Sequence, residues 1–268
     1  MRSFKADLHI HSCLSPCGEL EMSPRAIVEK SLEMGLDLIS VCDHNSAENV
    51  GSVMRAGIQK GLAVLAGMEI SSREEVHSLA FFDTEEQALQ LQEIIYRHLK
   101  GTNRPELFGD QVVANEYDEV EGFNDRLLIG AVQLGLDEIV NTVHLLGGLS
   151  IASHVDRPSF SIMSQLGFLP DGIDLDAVEL SRHTSREKAR TSIPGIERFC
   201  QVSFSDAHVP EDIASACTYF MIEAPSIGEL RLALRNQDGR RVLDNNRIRK
   251  SILRNCDELS ERDRITHT

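Results

Sequence analysis

Short apolar runs rich in β-branched residues alternate along the chain with segments in which apolar residues recur every three or four positions. The runs have the length and composition of buried strands, and the intervening pattern is typical of amphipathic helices. Such alternation indicates βα units arranged around a parallel sheet. The predicted strands are Ser3–Ile10, Leu36–Val41, Leu62–Ile70, Val76–Phe82, Leu149–Ser153, Ala177–Leu180, Gln201–Ser205 and Thr218–Met221.

The clearest helix signal follows the first strand. Ser23 is a favourable N-cap, Pro24 suits the first helical position, and Gly35 is placed to end the helix. The sequence therefore predicts a helix at Pro24–Met34 and a β-α-β start to the fold.

The regular alternation is interrupted between residues 84 and 147. Glu85–Leu99 has the pattern of one amphipathic helix and Arg126–Leu146 that of one or two more, whereas Gly109–Phe123 is acidic and has no clear period. We expect residues 1–83 and 148–244 to form a barrel domain and residues 84–147 to be a helical insertion. The insertion is either a lid over a site or a decoration of the barrel surface.

Composition is that of a globular protein, with 41% apolar and 26% charged residues among 268, enough for one large α/β barrel or two small domains. The segment 245–268 alternates basic and acidic groups and is expected to be a solvated helix or frayed tail. The start of the chain lacks a signal-peptide pattern and no stretch is long enough to span a bilayer, so we expect a cytoplasmic protein without a membrane partner. Its six cysteines are then expected to be reduced thiols.

The formal net charge of −15 argues against a broad basic face for duplex nucleic acid, because Lys and Arg supply most of the non-specific affinity for phosphates. A local basic pocket is compatible with this charge, and bound divalent cations would offset part of it. The charge therefore weakens a nuclease hypothesis without excluding it.

Candidate chemistry begins at the end of the first predicted strand, in Asp7-Leu8-His9-Ile10-His11. His9 and His11 are two residues apart on a strand, so their side chains share one face and can bind one cation through neutral imidazole nitrogens. A His-x-His pair also occurs by chance, so this pair alone is weak evidence for a metal site.

Further imidazoles and carboxylates accompany the later predicted strands. They are Asp43, His44, Glu69, His77, His154, Asp206 and His208. In a parallel barrel the carboxyl ends of successive strands converge on one mouth. Singly, each residue can be explained as a helix N-cap or a hydrogen-bonded core group. Together, such groups would repel one another or lose solvent at a cost, which bound cations would remove.

The motifs that carry these residues are Asp7-Leu8-His9-Ile10-His11-Ser12, Asp43-His44-Asn45, Glu69, His77, Ser153-His154 and Ser205-Asp206-Ala207-His208. In order and in placement after strands, the set resembles the successive motifs of the polymerase-and-histidinol-phosphatase (PHP) superfamily. The resemblance runs from Ala6 to about Leu234 and leaves out the insertion. It implies an α/β fold, a distorted seven-stranded β/α (TIM-like) barrel, and the activity of a metal-dependent phosphoesterase.

The resemblance also implies two or three divalent metal ions, which in this family are Mn, Fe or Zn. In that arrangement His9, His11, Glu69 and Asp206 hold the first metal. Such ions would lower the pKa of a bridging water, neutralise phosphate oxygens and stabilise in-line displacement without a covalent enzyme intermediate.

The second and third metals are implied in the same way. Glu69 bridges from the first metal to the second, which His77 and His154 complete, and the third metal is held by His44 and His208. The protein mainly supplies geometry to such a cluster.

The chain departs from the family pattern just after the first motif. Many members place an Asp or His there as a further ligand of the third metal, whereas this chain has Ser12-Cys13-Leu14-Ser15-Pro16-Cys17-Gly18. Cys17 is nearest to that place. A thiolate can ligate zinc or iron, but a buried neutral thiol is the more frequent state of cysteine. Ligation by Cys17 and occupancy of the third site therefore stay open.

Binding a substrate phosphate requires donors in addition to metal. Arg157 and Arg182 follow strands on the same rim and offer planar, doubly donating guanidinium groups. Surface ion pairs, for instance with Asp156 or Glu179, are the alternative for both. His183 is a candidate phosphate ligand and proton donor to the leaving oxygen, or a surface residue.

The main functional prediction is a phosphomonoesterase that hydrolyses a small phosphorylated metabolite or nucleotide, with Asp43, Arg157, Arg182 and His208 acting in catalysis. A nuclease for single-stranded nucleic acid ranks second, because aromatic residues are only 5% and Trp is absent, which leaves little for a basic, aromatic-lined track. A metal-holding regulatory module without turnover would follow if Cys17 left the cluster incomplete. The sequence leaves the substrate and the oligomeric state open.

Overall fold

Each of the eight predicted apolar runs contains a strand, and three further short strands form where none is predicted. The computed structural model describes residues 1–243, so the predicted tail at 245–268 lies outside the described residues. The strands in this range are β1 (Arg2–Ile10), β2 (Leu38–Val41), β3 (Ala63–Ser71), β4 (His77–Phe82), β5 (Val112–Ala114), β6 (Val120–Phe123), β7 (Leu149–Ala152), β8 (Ala177–Glu179), β9 (Gln201–Val202), β10 (Thr218–Ile222) and β11 (Arg241–Val242).

The helices include the first one that the sequence predicts, which starts after Ser23 with Pro24 in its first turn. Over residues 1–243 none of the helices is both long and apolar enough to cross a membrane. The α-helices are α1 (Pro24–Glu33), α2 (Val50–Lys60), α3 (Glu85–His98), α4 (Pro105–Phe108), α5 (Leu136–Leu145), α6 (Ile162–Leu166), α7 (Arg186–Ser192) and α8 (Ile227–Leu234).

Within the described range, nine strands form one sheet in the order β11-β10-β1-β2-β3-β4-β7-β8-β9. The seven strands from β1 to β9 curve until the chain just after β9 meets the end of β1. There Ile10 forms a parallel bridge with Ala207, and the His11 N–H donates to the Ala207 carbonyl at 2.9 Å. The predicted seven-stranded, distorted barrel is thus confirmed, and β10 and β11 extend the sheet beyond it.

One barrel strand runs against the direction that the sequence pattern predicts. β4 pairs antiparallel with both β3 and β7, whereas β1–β2, β2–β3, β7–β8 and β8–β9 are parallel. Only residues 72–76 join β3 to β4, too few for the crossover that parallel neighbours need. The prediction of a wholly parallel sheet is therefore wrong at β4, and also at β10, which pairs antiparallel with β1. As a result, the first residue of β4, His77, lies at the same mouth as the last residues of the parallel strands.

The segment 84–147 is only partly helical. The predicted helix at Glu85–Leu99 corresponds to α3, but the helical pattern at Arg126–Leu146 yields a helix only after Gly135. The acidic stretch Gly109–Phe123, which has no clear period, contains the antiparallel hairpin β5–β6. The insertion therefore contains a β-hairpin in addition to the predicted helices.

Apolar side chains fill the barrel interior away from this mouth, which is called the lower part of the barrel below. Leu38, Leu79, Phe81 and Phe204 belong to one fully buried cluster to which nearly every barrel strand contributes. Outside the barrel, α3 and α5 both pack against the outer faces of β3 and β4. Residues on the two faces of each strand thus alternate between the interior and the helical layer.

Candidate metal centre

Eight of the predicted ligands meet at one mouth of the barrel. The strand ends and the turns after them place them there, and each has a side chain that is buried or nearly so, except His208, which is partly exposed. They are His9 and His11 from β1, His44 after β2, Glu69 in β3, His77 at the start of β4, His154 after β7, and Asp206 and His208 after β9.

The two histidines of β1 owe their direction to an irregularity in that strand. Pairing of β1 with β2 slips by one residue between Asp7 and Ile10. Before the slip, Leu8 packs in the barrel interior, and after it Ile10 packs against the helical layer. His9 and His11 consequently both face the mouth. This is the effect of a β-bulge, which redirects side chains beside a site.

A first group of donors is formed by His9, His11 and Asp206. The Nε2 atoms of the two histidines are 3.2 Å apart, and Asp206 Oδ1 lies 3.2 Å from His9 Nε2 and 3.1 Å from His11 Nε2. Glu69 approaches both imidazoles, with its oxygens at 3.5 Å and 3.4 Å. The four side chains predicted for the first metal therefore surround one point.

Glu69 is also the centre of a second group. Its Oε1 lies 3.2 Å from His77 Nδ1 and 3.3 Å from His154 Nε2, and its Oε2 lies 3.2 Å from His44 Nδ1. The carboxylate thus contacts both groups, as a bridging ligand would. His44, predicted to bind the third metal together with His208, thus also lies beside Glu69 and His77.

A third group brings Cys17 together with His11, His44 and His208. One donor atom from each lies within 4.8 Å of all the others. Cys17 is a free thiol at the exposed rim of the mouth, and the His208 ring stacks on His11 with ring centres 4.2 Å apart. The residue that departs from the family pattern therefore stands where a third-site ligand is expected.

The donor set fits divalent cations. Imidazole nitrogens and carboxylate oxygens face one another at 3.1–3.5 Å in a buried space. Burial of polar atoms without partners is costly, and a bound cation would be a partner for these atoms. Nitrogen, carboxylate and thiolate donors in such groups are the ligands of zinc, iron and manganese sites.

The pKa values of the two histidines of β1 are shifted in opposite directions. Burial would lower the pKa of His9, but the negative charges of Glu179 and Asp206 outweigh it and raise that pKa well above its usual value. Burial, together with the charge of His208, lowers the pKa of His11 to about 4. His11 is therefore neutral at pH 7, which is the form of imidazole that binds a cation.

Glu179 is a buried carboxylate that the sequence pattern did not single out as part of the site. It ends β8, and its two oxygens lie 3.2 Å and 3.1 Å from His9 Nδ1. It also accepts a hydrogen bond from the His154 backbone N–H at 2.9 Å. A carboxylate behind a histidine orients the ring toward a metal. An acidic residue at the end of the apolar run Ala177-Val178 is the signal that could have identified it.

The turns after β7 and β9 hold their ligands in unusual backbone conformations. His154 has a φ of 27° and Asp206 a φ of 51°, both in the left-handed region. Residues other than glycine rarely adopt such angles, and those that do are concentrated at functional sites. The two strained turns direct these side chains into the mouth.

Asp43 lies outside the three donor groups. Its carboxylate accepts hydrogen bonds from the Ser12 N–H at 2.8 Å, the Ser12 hydroxyl at 2.6 Å and the Ser15 hydroxyl at 2.7 Å. Burial raises the pKa of Asp43, and these hydrogen bonds oppose the rise. The carboxylate thus fixes the loop after β1, which carries Cys17.

The structure separates the two predicted phosphate-binding arginines. Arg157 reaches the site, with Nη2 2.5 Å from Asp206 Oδ2. Arg182 instead pairs with Asp212 at 2.6 Å, and His183 next to it is exposed. Of these three residues, Arg157 alone is part of the wall of the cavity at the mouth.

The mouth encloses a cavity of about 170 Å³. One wall comes from the insertion through Ile129, and another from the turn after β7 through Arg157, Ser159 and Phe160. The remaining lining residues are Cys17, His44, Glu69, His77, His154, Asp206 and His208. The site thus combines metal-binding donors with one arginine and an apolar rim.

Comparison with solved structures supports the fold. The lesion-specific endonuclease PfuEndoQ from Pyrococcus furiosus superposes with a TM-score of 0.63 at 20% identity, over 90% of this chain and 58% of that one. A proposed metal-dependent phosphoesterase from Bifidobacterium adolescentis gives a TM-score of 0.51 at 20% identity, over 76% of this chain and 87% of the other. At these identities the likeness concerns the fold.

Sequence comparison identifies the family. A 5′-3′ exoribonuclease of Haemophilus influenzae is 30% identical over 71 residues, which are 26% of this chain and 25% of that protein. The matched stretch is therefore only about a quarter of either protein. The PHP domain family model matches residues 7–165, which is more than half of the chain and begins at the first predicted motif. The chain belongs to the PHP domain family of metal-dependent hydrolases.

Proposed function

We propose that the protein is a metal-dependent phosphomonoesterase acting on a small phosphorylated substrate. The observation that carries this proposal is the cavity of about 170 Å³, in which the metal-binding donors and Arg157 face one confined space. A space of this size suits a phosphoryl group and part of its leaving alcohol better than a long polymer. The acidic net charge of −15 also favours a small substrate over nucleic acid.

Two or three divalent ions of the Mn, Fe or Zn class are part of the proposal. When bound, such ions activate water and neutralise phosphate oxygens. His9, His11 and Asp206 would hold the first ion and Glu69 would bridge to the second. Glu179 orients His9 from behind.

Cys17 is proposed as a ligand of the third group, with His44 and His208. A thiolate donor favours zinc or iron over manganese. The test is alkylation with iodoacetamide, followed by mass spectrometry of the Cys17 peptide. Zinc should slow alkylation of Cys17 in the unmodified protein and much less in a His44→Ala variant. Equal alkylation rates with and without zinc would rule out ligation.

Arg157 and His208 are the proposed substrate-facing residues. Both line the cavity, and the Arg157 guanidinium can donate two hydrogen bonds to a phosphate in a fixed plane. His208 is partly exposed at the rim, where a leaving alcohol would depart. Arg182 and His183 do not line this cavity and are given no role in substrate binding. Asp43 is proposed to position the loop that carries Cys17.

The insertion is proposed as a fixed wall of the site. Asn45, which follows the ligand His44, donates hydrogen bonds from its side chain to the carbonyls of Leu128 and Gly130 at 2.7 Å and 2.8 Å. Ile129 between them lines the cavity. These contacts support a wall formed by residues 84–147 in preference to a detached decoration.

The proposed function is tested by incubating the purified protein with manganese, zinc or iron and a panel of phosphate monoesters. Release of inorganic phosphate from at least one monoester is expected, and a His9→Ala variant should lose it. If the unmodified protein releases no phosphate with any of the metals and substrates, the proposal is refuted.

Nuclease activity is the second candidate, favoured by the relatives whose names describe an exoribonuclease and a lesion-specific endonuclease. A complex of endonuclease Q with a 27-mer duplex carrying an abasic lesion shares this fold at a TM-score of 0.63. Labelled single strands and lesion-bearing duplexes should therefore be offered to the metal-loaded protein. Cleavage that disappears in the His9→Ala variant, without release of phosphate from monoesters, would favour this candidate.

A further inference from the structure

Phe160 is an aromatic residue at the edge of the cavity that none of the roles above uses. Its ring stacks on the His77 imidazole, with ring centres 4.9 Å apart and planes inclined by 14°. The residue is nevertheless 45% exposed and lines the cavity. One face of the ring is therefore covered by a proposed ligand, while the rest is open at the place where a substrate would enter.

The backbone of Phe160 is held in a conformation that bulky residues avoid. Its φ is 56°, in the left-handed region. The carbonyl of Phe160 accepts a hydrogen bond from the His77 N–H at 2.9 Å, which joins this turn to the start of β4. Strain of this kind persists only where surrounding contacts impose it, and it is concentrated at functional sites.

The loop that carries Phe160 is anchored at several points. Asp156 accepts hydrogen bonds from the Ser181 N–H at 2.7 Å and the Ser181 hydroxyl at 2.6 Å. The Ser161 hydroxyl donates to the Arg157 carbonyl at 2.7 Å. Arg157 and Phe160 are thus presented to the cavity on one preformed turn, three residues apart.

These features place Arg157, the proposed phosphate donor, and the exposed Phe160 ring on the wall of one cavity. The Phe160 ring is separated from Glu69 by a single imidazole, that of His77. A nucleoside monophosphate has its base one ribose away from the phosphate, so the two groups of such a substrate match the two features of the site. Aromatic side chains stack on any nucleobase because each base has a π-face.

We propose that Phe160 is a specificity-determining residue that stacks on the base of a nucleoside monophosphate. The inference rests on the proposed phosphomonoesterase function and narrows its substrate class. Ile129, 37% exposed on the wall from the insertion, adds a second apolar surface to the cavity. A small aliphatic phosphate would leave both surfaces in water.

A different role for Phe160 would be to shield His77 from solvent. Such a shield would affect metal retention and the hydrolysis of every substrate by the same factor. A stacking residue would affect substrates with a base more than substrates without one. The ratio between two substrates therefore distinguishes the two roles.

The experiment compares adenosine 5′-monophosphate with glycerol phosphate as substrates of the metal-loaded protein. We expect Phe160→Ala to reduce the preference in kcat/KM for the nucleotide roughly tenfold, mainly through KM, and Phe160→Tyr to retain most of it. Phe168→Ala is the matched control, because Phe168 is 59% exposed and lies outside the cavity wall. Metal content is measured in each variant.

Three results would overturn the inference. One is no preference for the nucleotide in the unmodified protein, and another is an equal loss on both substrates in Phe160→Ala. If neither substrate is hydrolysed, the proposed function fails, and equilibrium dialysis of adenosine 5′-monophosphate against metal-loaded protein then tests stacking without turnover. Equal binding by the unmodified protein and Phe160→Ala would refute it there.

Discussion

The lower barrel interior and the mouth are formed by the same strands yet have opposite chemistry. On β4 the inward positions are Phe81, Leu79 and then His77 at the mouth, and the chain through β9 continues from Phe204 to Asp206. All five side chains are at most 8% exposed. Burial is therefore common to both layers, but only the lower one gains from it. Apolar burial is favourable, whereas buried carboxylates and imidazoles need partners.

This contrast assigns stability to one layer and function to the other. Close packing of the lower layer holds the strand ends in place, and the strand ends hold the donors. Substitutions in the two layers should accordingly produce different signatures.

The largest expected effect is that of Glu69→Gln in the mouth. Glu69 contacts both principal donor groups, so loss of its charge should reduce metal content and lower kcat/KM on the order of a thousandfold. Metal analysis and phosphate release measure the two effects. Glu93→Gln on the exposed face of α3 is the control, and a Glu69→Gln variant with normal metal content and turnover would contradict the assigned role.

The converse test is Phe81→Ala in the lower layer. Removing this fully buried ring should lower the free energy of unfolding by about 3–5 kcal/mol, because a large side chain leaves a cavity. Guanidinium denaturation measures the loss, and turnover per folded molecule should be close to that of the unmodified protein. A selective loss of turnover with unchanged stability would show that the layers are not separable in this way.

Glu179→Gln tests whether the mouth depends on residues behind the donors. The amide keeps the size of the side chain but cannot stabilise the His9 ring in the same way, so metal affinity or turnover should drop roughly 10- to 100-fold. Metal titration monitored by calorimetry gives the affinity. Glu187→Gln, on exposed α7, is expected to have no effect, and an equal result for the two variants would remove Glu179 from the site.

The smallest effect separates the two arginines. Arg157→Gln should raise KM for the substrate roughly tenfold, because it removes a charged donor from the cavity wall. Arg182→Gln removes an ion pair with Asp212 outside that wall and should change KM less than about twofold. Steady-state kinetics decide between them, and a larger effect for Arg182→Gln would restore that residue to the substrate site.

The candidate site was largely predictable from strand ends. His9, Glu69 and Asp206 each occur at or just after an apolar run, and such positions converge when strands close into a barrel. Glu179 also ends an apolar run, but that position does not indicate which residue it contacts, and its contact with His9, 170 residues away, depends on the folded barrel. The ion pair between Arg182 and Asp212 could not be predicted from the local pattern either, because it depends on how two separate loops pack.

Local sequence was sufficient for the apolar runs, the first helix and the order of the motifs, because these depend on residues a few positions apart. The antiparallel direction of β4, the slip of pairing in β1 and the grouping of the donors around Glu69 required the folded barrel. Each of these depends on contacts between distant segments, which a periodic pattern does not encode. His9 and His11 are a clear case: their spacing predicts a shared face, but the slip in β1 directs that face into the mouth.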